Sequence, residues 1–214
     1  YSVVKEFVEN SIDAGAKNIT VSIERGGKDL ICVSDDGAGI GKEDLRSAFL
    51  PHATSKIARA EDLDFIRTLG FRGEALASIA SVANVRLRSR SGGKMGEITP
   101  CALGAGTEIC AENLFFNTPV RAKFLKSDKG EEGDISNFVS RLVLGNPTVA
   151  FRYYIDGKLA LQSFGGGEDE ALAAVYGGNT VQECYKIDAQ KHGIPSRGFL
   201  GKTSFPKGNR AEPR

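Results

Sequence analysis

Ser2-Val3-Val4-Lys5-Glu6-Phe7-Val8-Glu9-Asn10-Ser11-Ile12-Asp13-Ala14-Gly15 is the stretch on which the fold turns. Val4, Phe7, Val8 and Ile12 recur at helical spacing, so one stripe of a helix over residues 2–14 is apolar, and Gly15 stands where a glycine closes a helix C-terminus. At 100° per residue, Glu6, Asn10 and Asp13 fall together on a second stripe, roughly opposite Val4, Val8 and Ile12. A carboxylate and a carboxamide one turn apart can serve metal and water together. The amide oxygen suits a hard Mg²⁺, and the carboxylate can polarise an attacking water. Taken alone, the same stripe reads more simply as the solvated side of an ordinary helix.

Downstream, Ile19, Val21 and Ile23 alternate with polar residues, Gly26-Gly27 turns the chain, and Leu30 to Val33 form an apolar run suited to a buried strand. That strand leads into Asp35-Asp36-Gly37-Ala38-Gly39-Ile40. A carboxylate at a strand end is held by the sheet, and glycines beside it let a ligand lie against bare backbone. Asp35 could accept a hydrogen bond from an adenine amino group; a plain loop cap is an equal reading of the isolated motif. Residues 43–69 read as a short helix, a polar loop around His52-Ala53-Thr54-Ser55-Lys56, and a second short helix. Two hydroxyls and a cation suit a lid over phosphate, and equally a solvated turn.

Leu69-Gly70-Phe71-Arg72-Gly73-Glu74-Ala75-Leu76 then offers glycine-supported amides, an arginine and a helix start over 74–81. Phosphate is cradled in this way by N–H groups at the favourable end of a helix dipole. No G-x-x-x-x-G-K-[ST] occurs, so the loop is not of the Walker A type. Strands are predicted at Val85–Leu87, 106–112, 148–155 and 158–164, the last two joined by an Asp156-Gly157 hairpin turn. Ile135, Phe138, Val139, Leu142 and Val143 mark another amphipathic helix. Strands and helices mix without regular βαβ alternation, which predicts an α+β fold, a mixed β-sheet with helices on one face. Gly165-Gly166-Gly167 reads as a linker, dividing residues 1–164 from the start of a second domain over 168–214.

Composition restricts function less sharply. With 28 Lys and Arg against 27 Asp and Glu, the net charge of +1 gives no global attraction to nucleic acid. A DNA contact would need a local patch, for which Arg86, Arg88, Arg90, Arg121 and Lys123 are candidates, a solvated sheet edge being at least as good a reading. Cys32, Cys101, Cys110 and Cys184 are scattered without a C-x-x-C pair, which suggests a reducing compartment. No apolar run approaches the ~18 residues of a membrane span. The opening at Tyr1 is expected to follow a missing N-terminal piece.

Taken in order, the Glu/Asn helix, the strand-end Asp-x-Gly-x-Gly, the polar loop, the Gly-Arg-Gly helix start and the Gly106-Thr107 strand resemble the GHKL ATPase superfamily. Lys5 to Ala16, His52 to Ile57, Gly70 to Leu76 and Asn113-Leu114-Phe115-Phe116-Asn117-Thr118-Pro119-Val120-Arg121-Ala122-Lys123-Phe124-Leu125 resemble its MutL mismatch repair branch. The likeness spans residues 1 to about 126.

The resemblance implies a two-layer GHKL (Bergerat) sandwich followed by the start of an α/β transducer-like domain. It also implies a Mg²⁺-dependent ATPase of DNA mismatch repair. Glu6 would activate water, Asn10 would hold Mg²⁺, and Asp35 would read the adenine with Thr107. Asp13, Ala14 and Ile40 would line the nucleotide, while Gly37 and Gly39 make room for the base. Thr54, Ser55 and Lys56 would form the lid, and Gly70, Phe71, Arg72, Gly73, Glu74, Ala75 and Leu76 the phosphate loop.

Implied partners are a second copy, through ATP-dependent dimerisation, a MutS-type mismatch sensor, DNA, and a downstream endonuclease or helicase, with no membrane. The location would be the cytoplasm of a bacterium or the nucleus of a eukaryote. Two rivals are another GHKL branch, whose phosphate loop would read differently, and a binding platform without catalysis.

Overall fold

In the computed structural model the described residues are 1–41, 75–90, 105–191 and 194–203. The opening helix, α1 (Ser2–Asp13), forms on the expected apolar stripe, with Val4, Phe7 and Val8 at 1% exposure or less. Each such side chain contributes about 1.5–3 kcal/mol by burial. The helix stops because Gly15 turns to φ 75°, letting the Gly15 and Ala16 N–H groups reach back to the Ile12 and Ser11 carbonyls at 2.9 and 3.1 Å. This paired closure satisfies carbonyls that the helix itself leaves open.

Strands β1 (Asn18–Glu24) and β2 (Leu30–Asp35) follow as an antiparallel pair. Their connection runs through Arg25, Gly26 and Gly27 at φ 48°, 65° and 80°, a left-handed run that glycine makes cheap. Helix α2 (Ala75–Ala80) precedes β3 (Asn84–Arg90) and β4 (Gly106–Glu112), and a one-turn helix α3 (Pro119–Ala122) precedes the long α4 (Asp128–Gly145). Ser127 caps α4 by accepting the Gly130 N–H at 3.2 Å. Strands β5 (Ala150–Ile155) and β6 (Lys158–Phe164) turn at Asp156-Gly157, both at positive φ (47° and 76°), as the tightest hairpins require.

The sheet order is β3-β4-β2-β1-β5-β6, with β1 and β5 parallel and the other neighbours antiparallel. A mixed sheet with helices on one face was the expectation, and this is the arrangement found. The register stacks inward-facing residues in rungs across the strands. One rung reads Ile155, Ile23, Ile31, Ala111, Val85, and the next Tyr153, Val21, Val33, Ile109, Leu87. The third begins as Phe151 and Ile19 but continues as Asp35, Thr107 and Ser89. The core therefore opens into a polar corner at the end of β2.

On the opposite face, Arg86 pairs with Glu112 at 3.3 Å and Arg88 with Glu108 at 3.2 Å. Two of the arginines considered for DNA thus sit in cross-strand ion pairs, as a solvated sheet face would have them. Cys32 and Cys110, far apart in sequence and outside any C-x-x-C spacing, are register partners on β2 and β4 and form a disulfide, a pairing not expected from the scattered cysteines that suggested a reducing compartment. Only the strand order could have revealed that pairing.

The triglycine makes a tight connection. Gly165 stands at φ 72°, the Gly167 N–H donates to Pro147 O at 2.9 Å, and Glu170 accepts from the Phe164 and Gly166 N–H groups. Helix α5 (Glu168–Tyr176) then lies back on β6 and α4 with Ala171 and Leu172 buried, so the apolar core continues past the glycines. After α6 (Asn179–Gln182), strands β7 (Cys184–Lys191) and β8 (Ile194–Gly201) form a separate two-stranded sheet.

Candidate functional site

The polar corner is built by three segments that converge on Asp35. Its Oδ1 accepts the Gly37 N–H at 2.9 Å and the Thr107 N–H at 3.2 Å, and its Oδ2 accepts the Ser11 hydroxyl at 2.7 Å. Ser11 follows Asn10 on α1 and is buried, so the helix bearing Glu6, Asn10 and Asp13 is tied directly to the strand-end carboxylate. Bonds to a charged acceptor are the stronger kind, and they fix the carboxylate plane. An ionised carboxylate has about four acceptor positions. With three used, one remains on Oδ2 for a donor arriving from the site.

The turn after Asp35 is held against the end of α1. Ala38 N–H donates to Ala14 O at 3.0 Å, and a Cβ placed on Gly37 would stand 2.9 Å from the Ala14 Cβ and 3.0 Å from its carbonyl oxygen. Gly106, at φ 127°, lies so close to the Asp35 carbonyl that any side chain would collide with it. Gly39 turns at φ 73°, and the Ile40 N–H donates to Ser89 Oγ at 2.7 Å. Ser89 Oγ also lies 3.1 Å from Gly106 O and 2.9 Å from Thr107 Oγ1.

Asp36 points the other way and serves structure. It accepts the Lys17 and Asn18 N–H groups at 2.7 and 2.8 Å and the Asn18 side-chain amide at 2.7 Å. Burial pushes its carboxyl up, but the Asn18 and Lys17 hydrogen bonds outweigh that and leave it below its ordinary value. On α1, Lys5 bonds Glu9 at 2.5 Å and stands 3.9 Å from Glu6. The Glu9 bond raises the Lys5 ammonium above its ordinary value against the opposing effect of burial. An apolar cavity of 270 Å³ lies at the other end of α1, lined by Tyr1, Val3, Ile31, Ile79, Leu114 and Ile135. None of the Asp35 corner residues borders it.

Comparison with known proteins gives this geometry a family. A family profile described as "Histidine kinase-, DNA gyrase B-, and HSP90-like ATPase" matches residues 1–102. The chain is 45% identical over 222 residues to the DNA mismatch repair protein MutL of Clostridium beijerinckii, with 98% of this chain and 33% of that protein covered. It is 43% identical to the MutL of Clostridium botulinum strain Eklund 17B over the same shares. Among solved structures, the Aquifex aeolicus MutL ATPase domain complexed with ADP matches at 29% identity and TM-score 0.69, covering 94% of this chain and 75% of that one. The same domain carrying a K252N mutation matches at 30% identity and TM-score 0.67, with 92% and 73% covered. The chain belongs to the MutL family. It spans about a third of the length of these curated relatives.

Within this MutL-family chain, the structure brings together Ala14, Asp35, Gly37, Ile40 and Thr107 from the residues singled out in the sequence. Glu6, Asn10 and Asp13 lie on the half-buried part of α1, with Asn10 beside Ser11 in the chain. Ala75 and Leu76 open α2, and Leu76 packs on the core. Thr54, Ser55, Lys56, Gly70, Phe71, Arg72, Gly73 and Glu74 lie outside the described residues. Ser11 and Ser89 were missed. Ser11 sits between two recognised residues, and Ser89 ends the Val85-Leu87 alternation with a hydroxyl where a third apolar residue was due.

Proposed function

We propose that this region binds ATP at the Asp35 corner and, in the full-length protein, hydrolyses it to drive a change of shape and partner in DNA mismatch repair. The observation that carries the reading is the third rung, where an apolar start at Phe151 and Ile19 gives way to Asp35, Thr107 and Ser89, with Asp35 bonded to Ser11, the residue after Asn10 on α1. One unused acceptor position on a fixed carboxylate suits the amino group of adenine. Bare backbone at Gly37 and Gly106 suits a flat base lying against the turn. The ADP-bound relative from Aquifex aeolicus supports a nucleotide here.

In this reading Glu6 orients and deprotonates the attacking water, and Asn10 presents its amide oxygen to Mg²⁺, which would neutralise phosphate charge when bound. Among the described residues no group of three or more His, Cys, Asp or Glu gathers as a metal cage. Mg²⁺ is commonly held by few protein ligands together with phosphate oxygens and water, so Asn10 fits as such a ligand. Asp13, Ala14, Gly39 and Ile40 line the base, and residues 54–56 and 70–76 are assigned to phosphate binding by the family resemblance of their sequence. Residues 168–214 open a second, transducer-like domain, with α5 as its anchor on the first. Nucleotide-dependent self-association, and coupling to a mismatch sensor, DNA and a downstream nuclease or helicase, belong to the whole protein. Of the described helices none is long and apolar enough to cross a membrane.

The test is Glu6→Ala in the full-length protein. ATP affinity within about twofold of the parent, with turnover lost by two or more orders of magnitude, is the expected result for removal of a general base. Turnover at the parental rate would refute the assignment.

A further inference from the structure

Hydrogen-bond directions at Ser89 carry a specificity argument that rests on the reading of Asp35 and Thr107 as the base contacts. Ser89 belongs to the same rung as both, being the register partner of Thr107 on β4, which in turn faces Asp35 on β2. Its hydroxyl meets three groups: the Ile40 N–H at 2.7 Å, the Gly106 carbonyl at 3.1 Å and the Thr107 hydroxyl at 2.9 Å. A serine hydroxyl has one proton and two lone pairs. The Ile40 N–H can only donate, and the Gly106 carbonyl can only accept. One lone pair and the single proton of Ser89 are thereby assigned, and the second lone pair is left to receive the Thr107 proton.

The consequence appears at Thr107. With its proton committed to Ser89, Thr107 Oγ1 offers the site lone pairs alone. Asp35 likewise offers only acceptors, its oxygens already receiving the Ser11 hydroxyl and the Gly37 and Thr107 N–H groups. Adenine carries an amino group at C6 and meets such a wall favourably. Hypoxanthine and guanine carry a carbonyl there and face acceptor against acceptor. A polar site with no matching donor rejects the wrong group strongly, because the mismatch leaves buried atoms unpaired.

We propose that Ser89 is a positioning residue that sets base selectivity: by taking the Thr107 proton and holding Ile40, it makes the corner an all-acceptor reader of 6-amino purines. Replacing it by alanine releases the Thr107 hydroxyl to rotate and donate to a keto base, while the Asp35 contact stays.

The experiment measures dissociation constants of the Mg²⁺ complexes of ATP and inosine triphosphate in the full chain, for the parent, Ser89→Ala, Ser89→Thr and Asp35→Asn. In Ser89→Ala, the preference for ATP over inosine triphosphate is expected to fall about two- to tenfold, the size of one neutral hydrogen bond. Ser89→Thr keeps the hydroxyl and should restore most of the preference. Parallel weakening of both nucleotides in Ser89→Ala, with an unchanged ratio, would mean that Ser89 only braces the fold and would overturn the proposal. Loss of preference in Ser89→Thr equal to that in Ser89→Ala would also overturn it. Asp35→Asn separates the underlying reading. If that variant leaves the ratio untouched, Asp35 does not read the base, and the Ser89 proposal falls with it.

Discussion

Asp35→Asn probes the corner with the smallest change of shape. The amide oxygen can take the place of Oδ1 and keep the Gly37 and Thr107 N–H donors at 2.9 and 3.2 Å. The amide nitrogen then replaces Oδ2, 2.7 Å from the Ser11 hydroxyl, which can turn its proton to Phe7 O at 3.2 Å and accept instead. Packing survives, and stability falls by about 3 kcal/mol because three charge-assisted bonds become neutral ones.

At the ligand the effect is of similar size. A donor now confronts the adenine amino group, removing a hydrogen bond to a charged acceptor that is worth roughly 1.5–3 kcal/mol, or about 10- to 150-fold in affinity. Calorimetric titration of the full chain with a non-hydrolysable ATP analogue and Mg²⁺ reads this directly, with circular dichroism confirming the fold. An affinity equal to the parent's, in a folded variant, would refute the placement of adenine on Asp35.

Other outcomes follow from the same geometry. Gly37→Ala must force its Cβ against Ala14, 2.9 Å from a Cβ and 3.0 Å from a carbonyl oxygen, and should lower unfolding free energy by about 1–3 kcal/mol in a urea titration. Asp36 has a depressed carboxyl, so its stabilisation is complete above the ordinary carboxylate range and lost as pH falls through the lowered value. Melting temperature measured from pH 6 down to about pH 3 should therefore fall less steeply in Asp36→Asn than in the parent. The Cys32–Cys110 link closes a sequence separation of 78 residues. By loop entropy alone its reduction should cost about 4.5 kcal/mol, seen as a lower urea midpoint with dithiothreitol and no such change in a Cys32→Ser/Cys110→Ser double variant.

Much of the fold is legible in the sequence because its signals are local. The Val4-Phe7-Val8 stripe, the Gly15 stop and the Asp156-Gly157 turn each act within a few residues, and each appears where the pattern places it. The order β3-β4-β2-β1-β5-β6 is not local. Both the Cys32–Cys110 pair and the Ser89–Thr107–Asp35 rung depend on which strands become neighbours. Asp36 shows the limit within a single motif. Two adjacent aspartates look alike in sequence, yet the strand's alternation turns Asp35 toward the helix layer and Asp36 onto the Lys17 and Asn18 amides. Ser11 was hidden for a similar reason, as its role depends on α1 lying across the end of β2.

A crystal structure of the full chain with Mg²⁺ and a non-hydrolysable ATP analogue tests the nucleotide site most directly. The adenine amino nitrogen should lie within hydrogen-bonding distance of Asp35 Oδ2, at about 3 Å, with the triphosphate running along the Glu6/Asn10 side of α1. A nucleotide bound away from Asp35, or a base seated in the apolar cavity beside Tyr1 and Ile135, would contradict it.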